Sequence, residues 1–270
     1  MSRMSVSKAR DFFKDKSVGF VLSGGGTRGF AHLGALRFLE EIDCSPTCAV
    51  GSSVGALVAV CLAAGKSSGE MYEHFLKHNV LTSSFKLSFH GVLDMEKIVD
   101  AVLSFANVSS FSDLSFPVKI NAMDINTGKE VVFSSGPLAP ALQATISLPL
   151  LASPTKHNDS FLVDGSMLDV VPLHLLPAVD IPLILDISVD ALPITSSSSQ
   201  FSIIHNAILF SQRRGFEILK EYTPDPYVYI RFPLKGYSLV EYKKKRFKEM
   251  ADLAYKKCKK DIYSFISEKK

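Results

Sequence analysis

The sequence has only four cysteines, and their spacing matches neither a disulfide framework nor a metal site. Cys44 and Cys48 are separated by three residues, but no second pair of cysteines or histidines follows at a zinc-finger distance. This pattern excludes the small, disulfide-rich secreted class and favours reduced thiols, as in a cytoplasmic protein. We therefore expect no bound metal ion. The other two cysteines are Cys61 and Cys258.

Long apolar runs are also missing. The longest is residues 54–64, and the stretch 183–187 is apolar except for Asp186; both are too short to span a bilayer. Residues 1–17 lack the apolar stretch of a secretory signal and contain the acidic residues that transit peptides avoid. These absences favour a cytoplasmic protein that attaches, at most, to the surface of a membrane.

Charge is moderate in amount and uneven in distribution. The net charge of the 270 residues is only +3, but Lys and Arg greatly outnumber Asp and Glu in residues 243–270. Apolar residues recur there at helical steps, which predicts a terminal helix that either docks on the core or lies on an anionic lipid surface. We expect no nucleic-acid partner, because the basic residues are confined to this helix and no binding motif accompanies them.

Short apolar strands alternate with helices at the start of the chain. Residues 18–22 and 47–50 are predicted strands, whereas 30–41 and 54–64 have helical patterns. The second helix is apolar on all sides, as expected of a buried one. This β-α-β-α order predicts an α/β fold with a parallel sheet. We expect residues 66–116 to be mainly helical.

A glycine-rich loop, Gly24-Gly25-Gly26-Thr27-Arg28-Gly29, follows the first strand and opens the first helix. Its glycines fit a dinucleotide-binding pattern, but no carboxylate ends the second strand to bind a ribose. A P-loop is excluded as well, because Phe30 and Ala31 stand where lysine and a hydroxyl residue should follow. Backbone amides at a helix start can instead bind a phosphate or the oxyanion of an acyl-transfer intermediate.

The second strand runs into the sequence Gly51-Ser-Ser-Val-Gly55, which fits the G-x-S-x-G pattern with Ser53 at its centre. This pattern is typical of a strand-to-helix elbow that presents a serine hydroxyl above a sheet. The two strands are consecutive, so the glycine-rich loop and the elbow can meet at one edge of the sheet. Backbone donors would then lie beside a nucleophile.

A serine nucleophile needs a base, and two alternatives remain open from the residues alone. One is a histidine in a Ser-His-Asp triad, as in an α/β-hydrolase, although the elbow follows only two strands and no histidine ends a clear late strand. The other is Asp164, which ends a predicted strand and precedes Gly165. A carboxylate with a pKa near 4 is a weak base, so it would depend on a strong oxyanion pocket.

The glycine-rich loop, the elbow and the Asp164-Gly165 pair together resemble the patatin-like phospholipase family. The resemblance extends to residues 121–133, 144–149 and 163–173, and covers about residues 18–190. The elbow reads Ser-Val where family members often have a different order, and Asp-Gly-Ser replaces the more usual Asp-Gly-Gly or Asp-Gly-Ala. Neither difference removes a reactive group.

The resemblance implies a three-layer α/β/α fold with a mostly parallel sheet and a Ser53–Asp164 dyad that hydrolyses lipid esters without metal or cofactor. It implies an oxyanion hole or anion site at Gly24, Gly25, Gly26, Thr27, Arg28 and Gly29, while Gly51, Gly55 and Gly165 are motif glycines. The expected substrate is a phospholipid or a lysophospholipid. A non-catalytic lipid-binding protein with the same fold is the other alternative.

The resemblance also suggests how the chain is organised. We divide it into an N-terminal extension (residues 1–17), a catalytic core (18–195) and a C-terminal helical part (196–270) that completes the same domain. Within the last part, the basic helix over 243–270 is the candidate for peripheral membrane contact.

Overall fold

The computed structural model describes residues 5–77, 85–88, 91–93, 95–149, 151–188, 195–196, 200–221, 223 and 225–269. Its helices are α1 Val6–Phe13, α2 Phe30–Glu41, α3 Val54–Ala63, α4 Ser68–Lys77, α5 Met95–Ala106, α6 Leu138–Ile146, α7 Gln200–Glu221 and α8 Lys244–Glu268. Its strands are β1 Val18–Leu22, β2 Cys48–Gly51, β3 Phe85–Ser88, β4 Gly91–Leu93, β5 Val118–Asp124, β6 Glu130–Phe133, β7 Thr155–His157, β8 Ser160–Asp164, β9 Ile181–Asp186 and β10 Val228–Arg231.

The central sheet has the strand order β10-β9-β1-β2-β5-β8-β7, and β6 pairs with β5 outside this path. Strands β10, β9, β1, β2 and β5 run parallel, while β6 and β8 are antiparallel to β5. The predicted α/β fold with a mostly parallel sheet is confirmed. The region 66–116 is less helical than predicted, because β3 and β4 pair with each other there as a small hairpin.

Side chains of the parallel strands alternate between two apolar layers. In β1, Phe20 and Leu22 join the larger core with α2, α3 and α8, whereas Val21 joins a smaller core with Phe216 of α7. A strand that is buried on both faces reads as a continuous apolar run, and all five residues of β1 are buried. Helices therefore cover both faces of the sheet, which is the three-layer arrangement.

The terminal helix α8 docks along α2. Its apolar side, which includes Phe247, Ala254 and Ile262, is buried in the larger core. The two helices approach so closely that a Cβ on Gly34 would lie 1.9 Å from the carbonyl oxygen of Ala251. The docking interpretation of residues 243–270 is thus the one that the packing supports.

The other end of α8 meets α1 within the segment that we interpreted as an N-terminal extension. The rings of Phe12 and Phe265 lie 5.8 Å apart, and Ala9 and Phe13 are buried in the larger core. This helix therefore packs as part of the domain.

Strand β5 brings the ends of two other strands together. Residues 118–120 of β5 pair with β2, and residues 122–124 pair with β8 on the same side, because β6 occupies the opposite side. Since β8 runs antiparallel to β5 whereas β2 runs parallel to it, the C-terminal ends of β2 and β8 face each other. Ser53 follows one of these ends, and Asp164 forms the other.

Candidate active site

Ser53 lies at a sharp elbow between β2 and α3. Its backbone has φ 53° and ψ −128°, a conformation that costs energy in any residue other than glycine and that clusters at functional sites. The glycines on either side are required by packing, because a Cβ on Gly51 would lie 2.6 Å from the Ala56 nitrogen and one on Gly55 would lie 2.1 Å from the Leu22 oxygen. The elbow predicted from the sequence is therefore present.

The Ser53 hydroxyl donates a hydrogen bond to Asp164 Oδ2 at 2.7 Å. The other carboxylate oxygen of Asp164 accepts a bond of 2.8 Å from the Ser166 amide, which orients the carboxyl group. Asp164 is 1% exposed, and this burial raises its pKa to about 6, although the bonds from Ser53 and Ser166 oppose the rise. The carboxylate is thus a stronger base than the value near 4 expected from the sequence.

The described histidines do not supply an alternative base. His174, the first histidine that follows Asp164 in the sequence, binds Glu130 through Nε2 at 2.7 Å and Asp169 through Nδ1 at 3.1 Å. These bonds raise the pKa of His174 to about 10, so at neutral pH it is protonated and has no lone pair to accept a proton. His32 instead bonds to the Ser23 carbonyl and is buried in α2.

The remaining histidines give no further candidate within the described part of the chain. The ring of His74 stacks on Phe105, and that of His157 packs edge-on against Phe133. His78, His90 and the side chain of His205 lie outside the described residues.

The glycine-rich loop passes directly beside the nucleophile. A Cβ on Gly24 would lie 3.3 Å from Ser53 Cβ and 3.1 Å from Ser166 Cβ. Gly29, at the start of α2, is equally close to the elbow, because a Cβ there would lie 2.5 Å from Val54 Cγ2. A larger residue at Gly29 would have to displace the Val54 side chain, and one at Gly24 would crowd Ser53 and Ser166.

The amides of this loop do not all remain available for an anion. The Gly24 amide donates to the Val170 carbonyl, the Thr27 amide to Leu239, and the Arg28 amide to Gly25. For the amides of Gly25 and Gly26, and for that of Val54 at the start of α3, no acceptor is found among the described residues. Of the six loop residues expected to bind an anion, Gly25 and Gly26 thus keep amides that could do so, and the Val54 amide is a further candidate that the sequence did not indicate.

Arg28, within the glycine-rich loop, is a buried cation. Its Nε donates to the Gly25 carbonyl at 2.9 Å, which braces the loop, while its Nη1 has no partner among the described residues. Burial lowers the pKa of Arg28 to about 10, partly offset by the charge of Asp186. The side chain nevertheless remains charged at neutral pH and adds positive potential near the loop.

Two residues that the sequence did not indicate, Thr145 and Asn121, support the Ser53 elbow and the turn that follows Asp164. The Thr145 hydroxyl accepts a bond of 2.9 Å from the Ser53 amide. The Asn121 side chain donates to the Asp169 carbonyl at 3.2 Å and packs so tightly that a Cβ on Gly165 would lie 2.3 Å from its Oδ1. These contacts join positions far apart in the sequence, so local patterns gave no signal for them.

Ser53 and Asp164 open into a cavity of about 420 Å³. Apolar side chains from α3, α5, α6, α7 and three connecting segments dominate its wall. They are Val54, Leu57, Met95, Ile98, Ile146, Leu148, Leu151, Met167, Val170, Ile204, Ile208, Leu209, Leu239 and Val240. An apolar chamber with a few converging polar groups suits a ligand with a hydrocarbon chain and one polar linkage.

The family model for the patatin-like phospholipases matches residues 20–177, more than half of the chain. The chain belongs to this family. An uncharacterized NTE family protein of Mycobacterium tuberculosis is 32% identical over 178 residues, which cover 64% of this chain and 49% of that protein. A protein named lysophospholipase NTE1, from Cryptococcus neoformans, is 31% identical over 170 residues, which cover 59% of this chain and 10% of that protein.

The chain therefore spans about half the length of the first of these relatives and a tenth of the second. Solved structures of similar fold include VipD from Legionella pneumophila, with a TM-score of 0.54 and 12% identity, covering 93% of this chain and 67% of VipD. The ExoU–SpcU complex of Pseudomonas aeruginosa has a TM-score of 0.51 and 17% identity, covering 93% of this chain and 52% of the matched one. At these identities the likeness concerns the fold alone.

The described residues contain no cluster of three or more side chains suited to a metal ion. Among the helices described, none has both the length and the apolar character needed to cross a membrane.

Proposed function

We propose that this patatin-like phospholipase family member hydrolyses carboxylic esters of phospholipids or lysophospholipids through Ser53 and Asp164. The observation that carries the proposal is the 2.7 Å hydrogen bond from the Ser53 hydroxyl to a buried carboxylate at the base of an apolar cavity. The lysophospholipase name of one relative supports the lipid substrate class.

In the first half of the proposed reaction, Ser53 Oγ attacks the ester carbonyl carbon while Asp164 Oδ2 takes the hydroxyl proton. The carbonyl oxygen gains the negative charge and accepts bonds from the amides of Gly25 and Gly26. The intermediate then collapses, the ester C–O bond breaks, and Asp164 returns the proton to the leaving alcohol. An acyl-serine remains in the cavity.

In the second half, water attacks the acyl-serine, and Asp164 takes a proton from that water. A second oxyanion forms at the same amides, and its collapse releases the fatty acid and returns the proton to Ser53 Oγ. The pKa of about 6 suits Asp164 to both directions of transfer, because a catalytic base works best when its pKa lies near the working pH.

A fluorophosphonate probe and a lipid panel test this proposal. The probe should label Ser53 in the wild-type protein, and Ser53→Ala should abolish both labelling and the release of fatty acid from lysophospholipid and phospholipid micelles. Ser52→Ala is the matched control, because the Ser52 hydroxyl is fully buried and lacks a partner among the described residues. Labelling at Ser52 would contradict the assignment, and binding of lipid without any hydrolysis would favour the non-catalytic alternative.

A further inference from the structure

Helix α7 exposes apolar side chains where a surface helix normally exposes polar ones. Among the described residues, nine large apolar side chains are exposed, and four of these belong to α7: Ile203, Ile204, Phe210 and Ile218. Phe210 is 63% exposed, the highest value in this group. An exposed apolar surface of this kind marks a contact with another molecule or with a membrane.

The exposed residues of α7 form a continuous stripe. Ile203, Ala207, Phe210 and Arg214 follow one another at helical steps of three and four, and all four are exposed. We call these four residues the α7 stripe. The sequence between Asp190 and Glu217 contains no carboxylate, so the stripe carries no acidic group that would repel an anionic surface.

This stripe borders the opening of the cavity. Ile204, next to Ile203, lines the cavity and is itself 54% exposed, which places it at the rim. Val240 lines the same cavity from another segment of the chain. The exposed residues Tyr242 to Lys245 follow it within a few positions.

Lys243, Lys244 and Lys245 give this rim a positive charge. For their ammonium groups no carboxylate partner is found in the described part of the chain, whereas Lys248 and Lys257, further along α8, pair with Asp252 and Asp261. The nearest carboxylate in sequence, that of Glu241, is engaged by Arg246 at 2.7 Å and by backbone amides. The lysines are therefore free to face an anionic surface.

We propose that the α7 stripe and Lys243–Lys245 form a docking surface for an anionic lipid bilayer, so that the cavity opens toward the membrane. Apolar side chains beside lysines match the acyl boundary and the charged headgroups of such a bilayer. The role of this surface, which is to bring the cavity to its lipid substrate, rests on the proposed function. Binding of the surface to a bilayer does not depend on it. It moves the membrane contact from the whole of residues 243–270 to one end of α8.

The two ends of α8 provide an internal control. The helix is 25 residues long, or about 37 Å, and its far end packs against α1, which precedes the N-terminal end of β1. Three exposed lysines lie from the middle of α8 onward: Lys256, Lys260 and Lys269, the last of which directly follows the helix. Reversal of three charges there changes the net charge as much as reversal at Lys243–Lys245, but lies away from the cavity.

The decisive experiment measures cosedimentation with vesicles in the Ser53→Ala background, where no lipid is consumed. With vesicles of equal parts phosphatidylcholine and phosphatidylserine, Lys243→Glu/Lys244→Glu/Lys245→Glu should bind roughly a hundredfold more weakly, since each basic group near an anionic surface contributes about fivefold. Lys256→Glu/Lys260→Glu/Lys269→Glu should bind much like the parent. Ile203→Ser/Phe210→Ser should weaken binding by at least about tenfold, including on pure phosphatidylcholine.

Equal losses in the two triple variants would overturn the proposal, because net charge rather than this surface would then control binding. A dimer in solution that Ile203→Ser/Phe210→Ser converts to a monomer would also overturn it, by assigning the stripe to a second copy of the chain. Hydrolysis of a water-soluble short-chain ester by protein with Ser53 intact separates the two proposals. If the protein binds vesicles but does not hydrolyse the ester, the proposed docking surface is supported and the proposed hydrolase function is refuted.

Discussion

The Ser53 hydroxyl and the Asp164 carboxylate meet at 2.7 Å although 111 positions separate them in the chain. Strand β5 causes this meeting, because β2 and β8 pair with successive parts of the same side of β5 from opposite directions. The Asp164 carboxylate is buried, held by the Ser166 amide and paired with a single hydroxyl. Its environment, and not its position in the sequence, gives it the raised pKa that the proposed reaction requires.

The two residues should behave as one catalytic unit. We expect Ser53→Ala and Asp164→Asn each to reduce kcat by at least about a thousandfold, and the double variant to lose no more than either single one. Non-additivity follows because each residue is useless to the reaction without the other. Steady-state kinetics on a lysophospholipid would measure this, and additive losses would show that Asp164 acts separately from Ser53.

Activity should fall as the pH drops through the pKa of Asp164. Since burial raises that pKa to about 6, and only the ionised form accepts the Ser53 proton, kcat/KM should decrease about tenfold per pH unit below about pH 6. A histidine base would produce a similar decrease, because its ordinary pKa of about 6.5 is close to that of Asp164. The pH profile therefore needs a histidine variant beside it to distinguish the dyad from a triad.

A His174→Gln variant makes that separation for the first histidine that follows Asp164 in the sequence. It should keep most of the turnover and the same acidic limb, because His174 is already protonated below its pKa of about 10. A correctly folded but inactive His174→Gln variant would contradict the dyad. The comparison requires only rate measurements between pH 4 and 9.

Removal of the Asp164 charge should stabilise the fold at neutral pH. The pKa of Asp164 is higher in the folded protein than in the unfolded chain, so its ionisation destabilises the fold as the pH rises from about 4 to about 6. Asp164→Asn should therefore increase the free energy of unfolding by about 1–3 kcal/mol at pH 8. The difference should vanish below about pH 3, where the carboxyl group is protonated in both the folded and the unfolded state.

Asp113→Asn is a control of opposite sign for this measurement. Backbone amides of Ser109 and Ser110 lower the pKa of Asp113, so its ionised form stabilises the fold, and that stability is lost as the pH falls. The substitution should destabilise the protein at pH 8 and have less effect at low pH. Urea unfolding at both pH values would measure each variant, and a loss of stability in Asp164→Asn at pH 8 would contradict the prediction.

The contact between α2 and α8 should be intolerant of any side chain at Gly34. An added Cβ would lie 1.9 Å from the Ala251 carbonyl oxygen, so Gly34→Ala must displace α8 and should cost about 1–3 kcal/mol of stability. Gly69 in α4 is the matched control, because a Cβ there meets no atom within 4 Å. Gly69→Ala should stabilise the protein by about 0.5–1 kcal/mol, and equal effects on Tm at both sites would refute the close packing.

Local patterns in the sequence were sufficient for the first elements of the fold. The helix over residues 30–41 and the strand over 18–22 have the predicted bounds, since apolar periodicity depends on neighbours only a few positions apart. The elbow at Ser53 was predictable for the same reason, because its glycines must admit a tight turn between β2 and α3. The β3–β4 pairing within 66–116 was not, because short strands have too few residues to set a period.

The sequence by itself determined the family, the α/β class and the residues that can react. Only the tertiary structure decided the pKa values and hydrogen-bond partners of those residues, because burial and hydrogen bonding depend on segments that are distant in the chain. Burial raised the pKa of Asp164, carboxylates from two other segments occupied both nitrogens of His174, and loop contacts left the amides of Gly25 and Gly26 without acceptors. The exposure of Phe210 beside the cavity is likewise a property of how α7 packs, since its apolar residues alone would have predicted a buried helix.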